Sequence, residues 1–181
     1  MGTTTPSELW QTIARDAAAE SALWDGLLRP EAEREQEPVF SPLGEDRYAL
    51  GLETIYEGYL VHYGTSRLFA PADQDAALLL GDYLYAHGLV RIASCGEVDA
   101  VADLAELISL SSQLRAEGSE GDGPLWAATA GLLGAGRGLD AARAALRVRG
   151  DAGLLDAAAR DAAGSDAVER SLEAHRGRLR P

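Results

Sequence analysis

Apolar residues recur along this chain at intervals of three and four, and no stretch alternates with a period of two. That spacing confines the chain to helices. Leu52, Ile55, Tyr56, Tyr59, Leu60 and Tyr63 form one such stripe, and Val101, Leu104, Leu107, Ile108, Leu110 and Leu114 form another. Leu9, Trp10, Ile13, Ala17, Trp24, Leu27 and Leu28 give a more broken one. Alanine and leucine dominate while β-branched residues are few, a composition that favours helix over sheet. Long helices are expected over 7–28, 45–63, 71–94 and 98–117. Shorter, alanine-rich helices are expected over 125–133, 139–148, 154–163 and 165–179, separated by Gly134, Gly136, Gly138, Gly150 and Gly164. The expected class is all-α, an antiparallel helical bundle in one domain, 1–181, with a long-helix core over 7–118 and short alanine-rich helices over 124–181.

Punctuation supports these bounds. Thr5 or Ser7 suits an N-cap, with Glu8 at the positive end of the helix dipole. Pro30 ends the first helix, and residues 31–42, acidic and holding two prolines, read as a loop. Gly64 stops the second helix. Pro71 fits the first turn of the third, where Asp73 and Asp75 favour the dipole, and Gly96 follows its end. Gly81 and Gly88 weaken that helix and are read as permitting close contact with a neighbour. Residues 118–124 read as a flexible acidic turn.

The formal charge of −13 argues against nucleic acid as a partner, because phosphates need cations. All basic residues are Arg, with no Lys and no Asn, which fits a GC-rich genome or salt adaptation. Residues 1–121 hold 7 Arg against 21 acids, whereas residues 122–181 hold 9 Arg against 8. An acidic body with a near-neutral tail suits self-association or a basic partner, and equally a solvated acidic surface. Cys95 is the single cysteine, so no internal disulfide forms. The first six residues are polar with no apolar run behind them, and no apolar stretch approaches a membrane span, so a cytoplasmic location is expected.

Three segments carry a resemblance to a known family. Residues 53–62, Glu-Thr-Ile-Tyr-Glu-Gly-Tyr-Leu-Val-His, resemble the helix that leads into the first aspartate-rich motif of trans-prenyl diphosphate synthases. Residues 76–86, Ala-Ala-Leu-Leu-Leu-Gly-Asp-Tyr-Leu-Tyr-Ala, resemble that family's Gly-Asp-x-Leu helix, and residues 92–113 resemble the helix after it, with its corner at Cys95-Gly96. About a third of the chain is covered. In the family an Asp-Asp-x-x-Asp run follows the Leu-Val-His and holds magnesium against the substrate's diphosphate. Here the same place reads Tyr63-Gly64-Thr65-Ser66-Arg67, without a carboxylate. The family's second diphosphate-binding stretch is missing, since 17 residues separate Tyr63 from Gly81. No second aspartate-rich motif appears, only scattered acids such as Asp151, Asp156 and Asp161. The resemblance therefore implies a truncated isoprenoid-synthase scaffold with its magnesium site lost and no cofactor. Its expected role is non-catalytic association with itself or with a homologous prenyl synthase subunit. An isoprenoid ligand, or another apolar small molecule, is the alternative.

The candidate ligand-pocket residues are Tyr56, Tyr59, His62, Tyr63, Asp82 and Tyr85. The tyrosines either fill core and place hydroxyls at a wet rim, or line an apolar cavity. His62 and His87 are as readily structural as ligating. Asp82, mid-helix among apolar residues, calls for a partner, with Arg115 or a tyrosine hydroxyl in view. No Glu-x-x-His pairs, zinc spacing, nucleophile elbow or partner for Cys95 is found, and the glycine-rich 134–138 lacks the strand and Lys of a phosphate loop. The candidate interface residues, on helices that form the dimer contact in the resembling family, are Leu78, Leu84, Leu89, Ile92, Leu104 and Ile108. Helices apolar on more than one face need cover on more than one side.

Overall fold

One helix sits at the centre, and the rest of the chain is arranged to bury it. The computed structural model describes residues 6–135 and 138–179 and is all-α. Thr5, and Gly136 and Arg137 of the glycine-rich turn, lie outside the described residues. The helices are α1 Pro6–Glu20, α2 Ala22–Gly26, α3 Ala49–Tyr63, α4 Gln74–Ala93, α5 Val98–Glu117, α6 Asp122–Leu132, α7 Asp140–Arg149, α8 Gly153–Ala163 and α9 Ser165–Arg178. Short 3-10 turns occupy Glu31–Glu33, Ser41–Leu43 and Asp46–Tyr48. Isolated bridges join Leu28 to Phe69 and Gly64 to Leu179, and no strand ladder occurs among the described residues. None of the described helices is long and apolar enough to cross a membrane.

The four expected long helices are present with adjusted ends. The first is two helices, because Ser21 takes an extended conformation and its side chain accepts a hydrogen bond from the Leu23 N–H, restarting the chain as α2. The third starts at Gln74 rather than Pro71, since Asp73 caps it by accepting from the Ala76 N–H at 2.8 Å. The segment 118–124 is not wholly a turn: Asp122, Gly123 and Pro124 already form the first turn of α6, and Asp122 is buried.

α3 carries the expected apolar stripe, but Gly51 through Val61 is buried all round, including Glu53, Thr54 and Glu57. Its partner α4 runs antiparallel to it, since Gly51 faces Gly88 and Ile92 while Gly58 faces Gly81 and Leu84. The glycines bring the two backbones together: a Cβ on Gly58 would stand 2.9 Å from the Gly81 carbonyl oxygen. Two apolar clusters flank α3. The larger joins Phe40, Tyr56, Tyr59, Leu104, Leu107, Trp126, Leu155 and Val168 among others, and the smaller joins Leu9, Trp10, Ile13, Val61, Phe69, Leu80 and Leu84.

The helical spacing predicts Tyr56, Leu60, Leu79, Leu84, Leu104 and Ile108 as core, and of these Tyr56, Leu60, Leu84 and Leu104 are buried. Leu79 is not: it stands 57% exposed on the outer face of α4, and Ile108 is half-buried. Leu84→Ala is therefore expected to cost about 2–5 kcal/mol in urea unfolding. In the monomeric chain Leu79→Ala should change stability by no more than about 0.5 kcal/mol. Equal losses at the two sites under monomeric conditions would mean that another part of the same chain covers the outer face of α4.

Candidate functional site

Two of the six pocket candidates meet in a buried polar network at one end of α3. The Tyr59 hydroxyl donates to the Asp122 carboxylate and accepts from Arg115 Nε at 2.7 Å, while Arg115 Nη2 donates to the same carboxylate. His175, on α9, has Nε2 3.3 Å from Asp122 Oδ2 and Nδ1 2.9 Å from the Tyr56 hydroxyl. Aromatic contacts pack the network from behind, with Trp126 5.1 Å from Tyr56 and 5.4 Å from Tyr59 between centroids. Four helices contribute: α3 the tyrosines, α5 Arg115, the first turn of α6 Asp122, and α9 His175.

The electrostatics follow from this geometry. Burial alone would push the Asp122 carboxyl up, but the hydrogen bond and charge of His175, the Tyr59 hydroxyl and the Arg115 guanidinium outweigh it and hold the group well below the usual carboxylate range. Burial, reinforced by the Asp122 charge, pushes the Tyr59 phenol far up, and burial does the same to Tyr56. Both phenols therefore remain neutral. A carboxyl depressed in the fold stabilises it fully above its unfolded value of about 3.9, and that contribution is lost as the pH falls from there toward the folded value. Asp122→Asn is expected to lose about 1.5–3 kcal/mol at pH 7. Its deficit against the natural chain should narrow at pH 3, read from urea midpoints at both pH values. A deficit that stays constant would show that Asp122 does not titrate below its unfolded value.

The network borders a pocket of about 690 Å³ between the 118–124 segment and α9. Arg115, Asp122, His175 and Arg176 provide its polar wall, and Leu172 and Leu179 its apolar one. The sequence reading missed Asp122 and His175. A signal for His175 was present: with Val168, Ser171 and Leu172 it lies on the buried side of α9, and a histidine on such a face needs a partner.

The remaining candidates lie at the junction of α3 and α4. His62 Nε2 stands 3.3 Å from Asp82 Oδ1, and the ring packs against Gly81, where any Cβ would collide with it. Burial lowers the His62 pKa, and Asp82 only partly opposes that. Asp82 is thus not a buried carboxylate: its side chain is 67% exposed, its partner is His62, and Arg115 pairs with Asp122 instead. The cause is helical phase, which turns Asp82 to the same outer face of α4 as Leu78 and Leu79. Tyr63 joins His62 in lining an open, acidic groove of about 610 Å³ with Asp73, Asp75 and Leu78. Tyr85 packs 5.2 Å from the His62 ring, its hydroxyl has no protein partner, and burial pushes its phenol up. His87 stacks on Tyr83 at 5.3 Å.

At the place where the resembling family has its first aspartates, Arg67 folds back beneath α3. Its Nε donates to Glu57 Oε1 at 2.5 Å, and its Nη1 lies 2.8 Å from Glu53 Oε2, with all three side chains fully buried. Among the described residues no group of three or more His, Cys, Asp or Glu is placed to hold a metal ion.

The interface candidates divide. Leu84, Ile92 and Leu104 are buried within the chain, and Leu89 and Ile108 are half-buried. Leu78 is 54% exposed and shares the outer face of α4 with Leu79, Ala86, Val90 and Ala93. Comparison with protein-family models, with curated proteins and with solved structures returns no match.

Proposed function

We propose that this chain is a non-catalytic, prenyl-synthase-like helical protein that acts by association, pairing through α4 and α5 with a second copy of itself or with a homologous subunit. One observation carries the reading. α4 is apolar on more than one face, and its outer face is left open, with Leu78, Leu79 and Val90 each more than half exposed there. A helix apolar all round calls for cover on both sides. The adjoining surface of α5 offers Val98, Ala102, Ala105 and Ser109, small residues that permit close approach. Asp75, Asp82, Asp99 and Glu106 stand along the outer sides of these two helices, and Arg147 pairs with Glu106, which limits the repulsion between two copies.

The expected result is a light-scattering mass of twice the 19.1 kDa chain at micromolar concentration. Leu78→Asp with Val90→Asp should return it to a monomer without loss of helix, since both sites are exposed. An interface of at least about 1,200 Å² in total is expected. A natural chain that stays at 19.1 kDa and takes up no homologous helical subunit would refute the reading.

A second reading, a binding protein for an apolar small molecule, is favoured by the pocket beside Arg115, Asp122 and His175. Its volume falls within the range of small-molecule sites, and a fixed polar network stands at one side of an apolar wall.

A further inference from the structure

We propose that the pocket between the start of α6 and the end of α9 binds an amphipathic carboxylic acid, its carboxylate held by Arg115 and Arg176 and its hydrocarbon part against Leu172, Leu179 and Pro124. The inference rests on the small-molecule reading of this pocket and names the ligand's chemistry. Arg115 is already oriented: Nε donates to Tyr59 and Nη2 to Asp122, which leaves Nη1 for the pocket that the side chain lines. A guanidinium fixed by a phenol and a carboxylate has lost its rotamer freedom before any ligand arrives, so less is lost on binding. Arg176 is 61% exposed and tied only at 3.3 Å to Glu169, a surface pair weak enough to yield.

The carboxylates at the site do not compete equally. Asp122 is occupied by Tyr59, Arg115 and His175, and Glu120 stands at the exposed rim. With Glu120 solvated at the rim and Glu169 held by Arg160, the two guanidiniums set against Asp122 leave one positive charge, which matches one carboxylate and would leave a multiply charged head under-neutralised. The location also fits the uneven charge of the chain. Apart from Arg115 and the 118–121 rim, the pocket is built from residues 122–181, the part in which Arg outnumbers acids. The first-turn N–H groups of α6 add their dipole on the same side. The Leu172 and Leu179 side chains and Pro124 form an apolar flank, and a pocket of about 690 Å³ accommodates a chain of moderate length beside the head.

Three ligands of equal chain length separate the possibilities: decanoate, decanol and decylamine, each titrated below its micelle-forming concentration. Amide resonances of Gly118, Gly121 and Gly123 report binding by NMR, and calorimetry gives affinity. Decanoate should perturb these glycines and bind roughly tenfold more tightly than decanol, the margin of one charge-assisted hydrogen bond. Arg176→Gln, at an exposed site, should weaken decanoate several-fold and leave decanol unchanged. Equal binding of decanoate and decanol would overturn the carboxylate assignment while leaving the apolar-ligand reading in place. Preference for decylamine would overturn it in favour of Glu120 as the recognising group. No binding by any of the three would remove both.

Discussion

Replacing Arg67 with Ala is expected to destabilise the protein by about 3–5 kcal/mol, a large fraction of the 5–15 kcal/mol that holds a typical domain together. The guanidinium is fully buried between two fully buried carboxylates. Its Nη1 also donates to the Glu37 carbonyl at 2.9 Å, and its Cζ lies 4.2 Å from the centroid of the Trp10 ring. Removing it strands Glu53 and Glu57 inside the bundle. The backbone softens that cost without removing it. The Val39 and Ser41 N–H groups donate to Glu53 at 3.1 and 3.0 Å, and the Ser66 hydroxyl donates to Glu57 at 2.5 Å. Arg67→Lys should recover only part of the loss, because a single ammonium cannot reproduce a fork that reaches both acids and the Glu37 carbonyl. Arg67→Met combined with Glu53→Gln and Glu57→Gln should recover more than Lys does, since no unpaired charge remains. Urea unfolding followed by far-UV circular dichroism gives the comparison. A loss under about 1 kcal/mol in Arg67→Ala would mean that the two glutamates do not depend on this cation.

Arg67 also shows where the sequence could be read and where it could not. The period of three and four in α3 was plain, because burying any stripe of a helix imposes it. That α3 is buried on every side was hidden by Glu53 and Glu57, which look like a solvated face until a cation arrives from outside the helix. Arg67 stands ten residues after Glu57 in a loop, and that loop is placed by contacts remote in sequence. The Arg29 N–H donates to the Leu68 carbonyl, and the Ala70 N–H donates to the Leu27 carbonyl. No local pattern encodes such pairings. The break at Ser21 was missed for a different reason: serine is tolerated within a helix and favoured at its cap, and the surrounding residues fit either.

The candidate site was legible by halves. Tyr56 and Tyr59 were visible because aromatic hydroxyls on a core stripe need partners. The partners were not visible, because Asp122 and His175 lie 63 and 119 residues away from the tyrosines they meet. Asp122 further resembles the acidic residues of an exposed turn. It is the cap region of α6, closing against α9, that buries it. On α4 the composition was read correctly as apolar on more than one face. Which leucines lay outward depended on the phase set by Gly81 and Gly88 against α3, and so Leu79 was read as core and Asp82 as buried.

That phase yields the second large effect. A Cβ at Gly88 would stand 2.4 Å from Ile55 Cγ1, 3.0 Å from the Gly51 carbonyl oxygen and 3.1 Å from the Ile55 nitrogen. The side-chain contact can relax, but two of the three are backbone atoms of α3 and cannot move without parting the helices. Gly88→Ala should therefore cost about 1–3 kcal/mol, against a gain of up to about 1 kcal/mol from intrinsic helix propensity at an unhindered site. Gly88→Val adds a branched side chain to the same contact and should exceed the upper figure. Gly177 supplies the control: it lies within α9 with open space around its missing Cβ, so Gly177→Ala should leave stability unchanged or raise it slightly. The opposite signs matter more than the sizes, because both substitutions place the same methyl group on a helical backbone. If Gly88→Ala were as harmless as Gly177→Ala, α3 and α4 would not be in backbone contact. The outward phase of Leu78, Leu79 and Val90, on which the pairing surface depends, would then have to be assigned afresh.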